Sequence, residues 1–298
     1  MNNREKGFLL LTSHLGSPHR KVLTVAQFRT LADRMRYMEK PTEDWELGEK
    51  DIVNLGYNRE MAARMLSLLE EEALLRHYCS RGKKLGCHPV TRVSDGYPGI
   101  LRLRLGLDSP GCLWAKGDLS LMKAPCIALV GSRDLRPENR AFAEAVGRMA
   151  AERGLVLVSG NARGADRAAQ EACLAAGGQI VSIVADELGK QMLRKNVLYI
   201  SEDGFDEPFS AQRALSRNRL IHALGRTVFV AQSSLRKGGT WAGTVNNLQS
   251  SLSTVACFRD GSEASKELER LGAYLVDMDD LKDFSLPAEE LTLFYTDS

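Results

Sequence analysis

The sequence predicts an α/β fold in which a doubly wound, mainly parallel sheet follows a small N-terminal helical domain. Three observations predict it. From Ile127 onward, short apolar runs alternate with helical patterns. Those runs are continuous rather than alternating, so both sheet faces must be covered, as crossover helices cover them. The first eighty residues, by contrast, carry helical spacing without strand runs.

Taken in order, Thr24 is placed to cap a helix whose Val25, Phe28, Leu31, Ala32 and Met35 share a face, with Pro41 ending it. Asn58 precedes a longer helix with Met61, Met65, Leu68, Leu69 and Leu75 at helical spacing, and Gly82 with Lys83-Lys84 marks a boundary. Residues 1–82 are therefore expected to form the helical domain and residues 83–298 the α/β domain. Residues 85–123 are irregular apart from a short strand at Leu113-Trp114-Ala115. Strand Ile127–Val130 then leads to a helix from about Pro137 to Arg153, stopped by Gly154. Strand Leu155–Val158 leads to an alanine-rich helix ending at Gly177-Gly178. Strand Ile180–Val184, a short helix and strand Leu198–Ile200 follow. The remainder reads as helix Ala211–Leu224, strand Thr227–Ala231, a helix from Thr240, strand Thr254–Cys257, a helix from Ser262 to Leu271 and strand Ala273–Val276.

With 298 residues, 44% apolar and 26% charged, the composition is that of an ordinary globular protein, and the formal charge of +2 implies no partner by itself. No apolar stretch approaches the ~20 residues that span a bilayer, and Phe8-Leu-Leu-Leu11 is too short for a signal-peptide core. A cytoplasmic protein without a membrane partner is expected. The six cysteines are scattered without a Cys-x-x-Cys pair, so reduced thiols are expected. His77, Cys79, Cys87 and His88 carry zinc-type donors at a spacing that matches no common zinc module. They read as a helix end followed by a strand, and no metal is expected.

Two strand-to-helix turns carry the chemistry. Val130 runs into Gly131-Ser132-Arg133, and Ser159 into Gly160-Asn161-Ala162-Arg163-Gly164-Ala165-Asp166. Glycine allows a sharp turn, the following helix offers unpaired N–H groups, and its dipole favours an anion. Arg133 and Arg163 add guanidinium groups suited to phosphate. Asp166, at the start of the second helix, is expected to be a structural cap rather than a catalytic acid. Neither Gly-x-Gly-x-x-Gly nor Gly-x-x-x-x-Gly-Lys-Ser/Thr is present, which disfavours a dinucleotide cofactor or ATP hydrolysis; no cofactor is expected.

Charge distribution supplies a second signal. From Pro208 through Arg259 there is no aspartate or glutamate, where 38 acids in 298 residues would place about six or seven. The same stretch holds Arg213, Arg217, Arg219, Arg226, Arg236, Lys237 and Arg259, so a polyanion is expected there. Arg217-Asn218-Arg219 forms its centre. Lys237-Gly238-Gly239-Thr240, ahead of a helix, is a third candidate anion cradle. Phe209 and Trp241 are candidates for base stacking.

In order along the chain, Tyr97-Pro98, Trp114-Ala-Lys-Gly117, Val130-Gly-Ser-Arg133, Ser159-Gly160 with Ala162-Arg-Gly-x-Asp166, Ser201-Glu202 and Arg217-Asn-Arg219 resemble the DNA-processing protein DprA/Smf family. The resemblance spans roughly Leu85 to Phe258. It implies an extended Rossmann-like domain that binds single-stranded DNA, dimerises and delivers the strand to a RecA-type recombinase during natural transformation. The DNA pocket it implies contains Gly131, Ser132, Arg133, Gly160, Arg163, Gly164, Arg217, Asn218 and Arg219.

The chain also departs from that pattern. Gln170 stands where a histidine is usual, Gln232 replaces an acid, a Ser-Gly-Ser-type turn becomes Lys237-Gly-Gly-Thr-Trp-Ala-Gly243, and Pro-Gly is missing near Cys257. About twenty residues follow Val276, too few for the winged-helix domain of some members. The alternative from another class is a nucleotide sensor or a phosphoribohydrolase-like enzyme. Gly238-Gly239-Thr240 with Gly243-Thr244 faintly resembles the Gly-Gly-x-Gly-Thr loop of lysine-decarboxylase-like phosphoribohydrolases. Val245, Asn246 and Asn247 follow instead of their glutamate, so binding without catalysis is the expected function.

Overall fold

The computed structural model describes residues 1–38, 47–202 and 204–286. The expected helix end at Pro41 lies outside the described residues. The chain divides into two compact units, Met1–Lys123 with Val181–Arg217, and Ala124–Ile180 with Asn218–Ser298.

The first unit begins with α1 (Asn3–Thr12), α2 (Val25–Arg36), α3 (Glu49–Asn54), α4 (Arg59–Leu69) and α5 (Glu72–Lys84). Thr24 caps α2 in a reciprocal capping box with Gln27. The single helix expected after Asn58 is two, because Glu70, Glu71 and Glu72 fall together. Carboxylates oppose the dipole at the end of α4 and favour it at the start of α5, so the chain turns between them. Leu11, Leu23, Leu31, Ile52, Ala62, Met65 and Leu68 form one buried cluster. The buried Arg20 closes off α1 by donating to the carbonyls of Leu10 (2.8 Å) and Ser13 and pairing with Glu71.

Next come β1 (Cys87–Thr91), α6 (Gly99–Leu105) and β2 (Cys112–Gly117). Residues 82 and 83, between which the sequence places a boundary, both lie in α5. Gly82 is buried against Trp114 and Phe205. There Tyr78, Trp114 and Phe205 meet with ring centroids 4.4–5.2 Å apart, and the Tyr78 hydroxyl donates to Asp206 (2.5 Å).

The second unit opens with β3 (Cys126–Val130), α7 (Pro137–Glu152), β4 (Val156–Ser159) and α8 (Ala165–Ala175). β5 (Gln179–Ile183) carries the chain from the second unit to the first, where β6 (Val197–Ser201) pairs antiparallel with β2, itself antiparallel to β1. α9 (Ala211–Leu224) carries it back. Then follow β7 (Thr227–Val230), α10 (Gly238–Ser250), β8 (Thr254–Phe258), α11 (Glu263–Arg270) and β9 (Tyr274–Val276).

Within the second unit the strand order is β4-β3-β7-β8-β9, every pairing parallel. The mainly parallel α/β class expected from the uninterrupted apolar runs is what forms. β3, β4 and β7 are buried almost throughout, and Phe142 of α7 stacks on Phe258 of β8 at 4.4 Å. All three turns expected to meet an anion leave the carboxyl ends of neighbouring parallel strands, which is where such sheets bind ligands.

Gly147 of α7 lets α8 approach so closely that a Cβ there would collide with the backbone of Ala169 and Cys173. Gly147→Ala gains about 0.5–1 kcal/mol of helix propensity but overpacks a backbone contact at a cost of about 1–3 kcal/mol. A lower urea midpoint is therefore expected, and an unchanged or higher midpoint contradicts the close approach.

His222, Asn247 and Ser253 fasten α9 to α10. Ser253 N–H donates to Asn247 Oδ1 (2.9 Å), which turns Asn247 Nδ2 toward His222 Nδ1 (3.0 Å). Nδ1 is therefore the acceptor and the proton sits on Nε2. Burial pushes the His222 pKa down to about 4. The stability it contributes is fully present above its ordinary value near 6.5 and is lost as pH falls from there toward 4. The slope it adds is at most about 1.4 kcal/mol per pH unit. Urea titrations from pH 7 to 4 are expected to show a shallower loss of stability in His222→Gln than in the wild type, and equal slopes refute the assignment.

Candidate nucleic-acid interface

The turn after β3 is joined to its neighbours through the main chain. Ser132 N–H donates to Gln232 O (3.0 Å) beyond β7, and Ser132 O accepts from Ala165 N–H (3.1 Å) at the start of α8. Gly164 lies at φ +92°, and any Cβ there would collide with the carbonyl oxygens of Ser132 and Arg133. Only glycine serves at that point. Gly131, Ser132, Arg133, Gly160, Ala162, Arg163 and Gly164 are thus brought together at one sheet edge.

The side chains sort into those that hold the frame and those that face solvent. Gln170 is buried and donates to Ser159 Oγ (2.8 Å) and to Gly160 O, so the glutamine in the usual histidine position holds the β4 turn. Asp166 is buried and accepts from Ala162 N–H (3.3 Å), reaching back into the turn from the first turn of α8. Arg133 is exposed. Arg163 is exposed too and pairs with Asp134 at 2.7 Å.

The third element lies on the same side. α10 starts at Gly238 with Lys237 as its N-cap residue, no side-chain cap and no acid in its first turn, which leaves its first N–H groups without a capping side chain. Lys237 is exposed, and Gly239 and Thr240 are half-buried. Asn218 of α9 donates to Gly239 O (3.1 Å), so α9 and the α10 cradle meet at this residue, with Arg219 beside it. Trp241 is half-buried in α10.

Arg217 and Phe209 belong to the first unit. Arg217 Nη1 donates to Ile183 O (3.1 Å), and Phe209 is 57% exposed. The acid-free stretch is not uniformly a basic surface. Arg213 donates to Ala185 O, Glu207 O, Pro208 O and Ser201 Oγ, Arg259 donates to Leu275 O, and Arg236 faces Glu267 at 3.9 Å. Much of the cationic content there satisfies main-chain carbonyls.

Sequence reasoning missed the network behind the β3 turn. Gln232 Oε1 accepts from Arg136 N–H (2.9 Å) and Gln232 Nε2 donates to Asp134 O (3.1 Å). Arg136 pairs with Asp260, whose carboxylate also accepts from the buried Asn139 (2.9 Å). Burial alone would raise the Asp260 carboxyl. Hydrogen bonds from Ser262, Asn139 and Ser265 carry it below its ordinary value. The signal that pointed here was Gln232 itself, an amide where the resemblance leads one to expect an acid. Among the described residues no three His, Cys, Asp or Glu side chains converge as metal ligands, and no helix is long and apolar enough to cross a membrane.

DNA processing protein DprA of Streptococcus pneumoniae is 34% identical over 141 residues, covering 44% of this chain and 50% of that protein. Protein Smf of Escherichia coli is 30% identical over 166 residues, covering 51% and 43%. The chain thus spans about half the length of the curated relatives it matches. The X-ray structure of S. pneumoniae DNA processing protein A superposes with a TM-score of 0.72 at 26% identity, over 96% of this chain and 99% of that one. DNA processing protein A of Helicobacter pylori shares the fold, with a TM-score of 0.55 at 23% identity over 67% and 97%. Residues 88–283 match the family model described as DNA recombination-mediator protein A, and the chain belongs to that family.

Proposed function

We propose that the chain binds single-stranded DNA without a catalytic step and, as a homodimer, hands the strand to a RecA-type recombinase. The observation that carries the DNA reading is the convergence, within the second unit, of three strand-end turns on one sheet edge. They present exposed Arg133, Arg163 and Lys237 together with the N-terminus of α10, which no side chain caps. Phosphates are accepted there by main-chain N–H groups and guanidinium groups, which makes binding weakly dependent on sequence and strongly dependent on salt. Family membership supports the assignment, and the H. pylori relative is described by its single-stranded DNA binding mode. The recombinase and the dimer rest on the family resemblance.

The side chains support the reading of binding without catalysis. The two acids within the glycine turns are Asp134, paired with Arg163, and Asp166, which holds the Ala162 N–H. Val245, Asn246 and Asn247 stand where a hydrolase acting on ribose would need a carboxylate. Trp241 and the exposed Phe209 are the proposed base-stacking groups.

The deciding measurement is titration of labelled dT20 across a salt series with wild type, Arg133→Ala and Lys237→Ala. Affinity is expected to fall steeply with salt. Each variant is expected to bind more weakly, with the log–log slope shallower by roughly 0.7 per phosphate contact removed. Arg217→Ala is a poorer test, because its guanidinium also donates to Ile183 O, and a loss of affinity would not separate a DNA contact from that hydrogen bond. Salt-insensitive or absent dT20 binding, with tight binding of a mononucleotide, selects the nucleotide-sensor reading instead.

A further inference from the structure

Within the two glycine turns the one exposed acid is Asp134, next to Arg133 and in an ion pair with Arg163. A carboxylate in the middle of a phosphate site opposes the ligand, so its placement calls for an account. We propose that Asp134 is the site's own counter-anion: its carboxylate occupies Arg163 in the free protein and is exchanged for a phosphate of the bound strand. This rests on the DNA-binding reading above.

The pair is built by the frame rather than by a chance meeting of surface side chains. Asp134 is held through its main chain on both sides. Its N–H donates to Ser132 Oγ (3.3 Å), and its carbonyl accepts from Gln232 Nε2 (3.1 Å). Gln232 must be an amide to do this. One end accepts from Arg136 N–H while the other donates to Asp134 O, and a carboxylate there would only accept. Arg163 is placed by the neighbouring Gly164, whose contact with Ser132 and Arg133 locks the two turns together. The short Asp134 side chain therefore leaves a fixed main chain opposite Arg163.

Exposure makes the pair exchangeable. Arg163 is 74% and Asp134 87% solvent-accessible, so the attraction is screened by water and salt and yields to a phosphate. The exchange has an electrostatic signature. Arg163 accompanied by Asp134 brings no net charge to the strand and releases no counterion, whereas Arg163 alone brings one unit.

The test compares dT20 affinity across a salt series for wild type, Asp134→Asn, Arg163→Ala and the double variant. Asp134→Asn keeps both main-chain contacts, and an unchanged urea midpoint checks its fold. It is expected to bind about two- to fivefold tighter at low salt, with a salt slope steeper by up to about 0.7. Arg163→Ala is expected to bind more weakly, and in that background the Asp134→Asn gain is expected to vanish. A gain that persists without Arg163 reduces Asp134 to simple repulsion and overturns the exchange, as does unchanged or weaker binding by Asp134→Asn. If wild type shows no salt-dependent dT20 binding, the DNA reading itself falls and the exchange with it. The two failures are thereby distinguished.

Discussion

The contact between the β3 and β4 turns is the constraint on which the site depends. Gly164 sits at a backbone angle that side chains rarely adopt, pressed against the carbonyls of Ser132 and Arg133, while Ala165 N–H closes the gap by donating to Ser132 O. A side chain at residue 164 would push the turns apart. Arg133 and Arg163 would then no longer share one surface. The main chain thus fixes where the Arg133 and Arg163 side chains start, so that both leave from one surface.

The protein separates two uses of positive charge. Arg20, Arg213 and Arg217 spend their guanidinium groups on main-chain carbonyls and are part of the scaffold. Arg133 and Lys237 stay in water, where the cost of desolvation is deferred until an anion arrives. Arg163 stands between the two, exposed yet already provided with a carboxylate. A count of basic residues along the chain does not distinguish these classes, because the same side chain serves either purpose according to whether carbonyls lie within its reach.

The polar fastenings are concentrated behind the turns rather than in them. Asn139, Arg136, Asp260 and Gln232 form a connected set whose members satisfy one another, and Asn247 ties His222 to Ser253 between α9 and α10. Each set ties together the loops it touches. Rigidity at the sheet edge follows from this pairing together with the apolar packing of Phe142 on Phe258.

From Ile127 onward the order of helices and strands and the parallel character of the second unit's sheet were legible in the sequence, whereas α1, α3 and α6 were not. Continuous apolar runs, glycine stops and caps such as Thr24 and Ser262 act over a few residues, within the range of local reading. The break at Glu70–Glu72 lay there too, as a charge pattern set against two helix dipoles. The tertiary structure alone decided that β6 pairs antiparallel with β2, that Gly82 packs against Trp114 and Phe205, that Arg217 turns to Ile183, and that Asp134 meets Arg163. Each of these joins residues distant in the chain through a contact between specific atoms. Spacing and periodicity carry no information about which distant partner fills a given gap; the packing of the elements determines it.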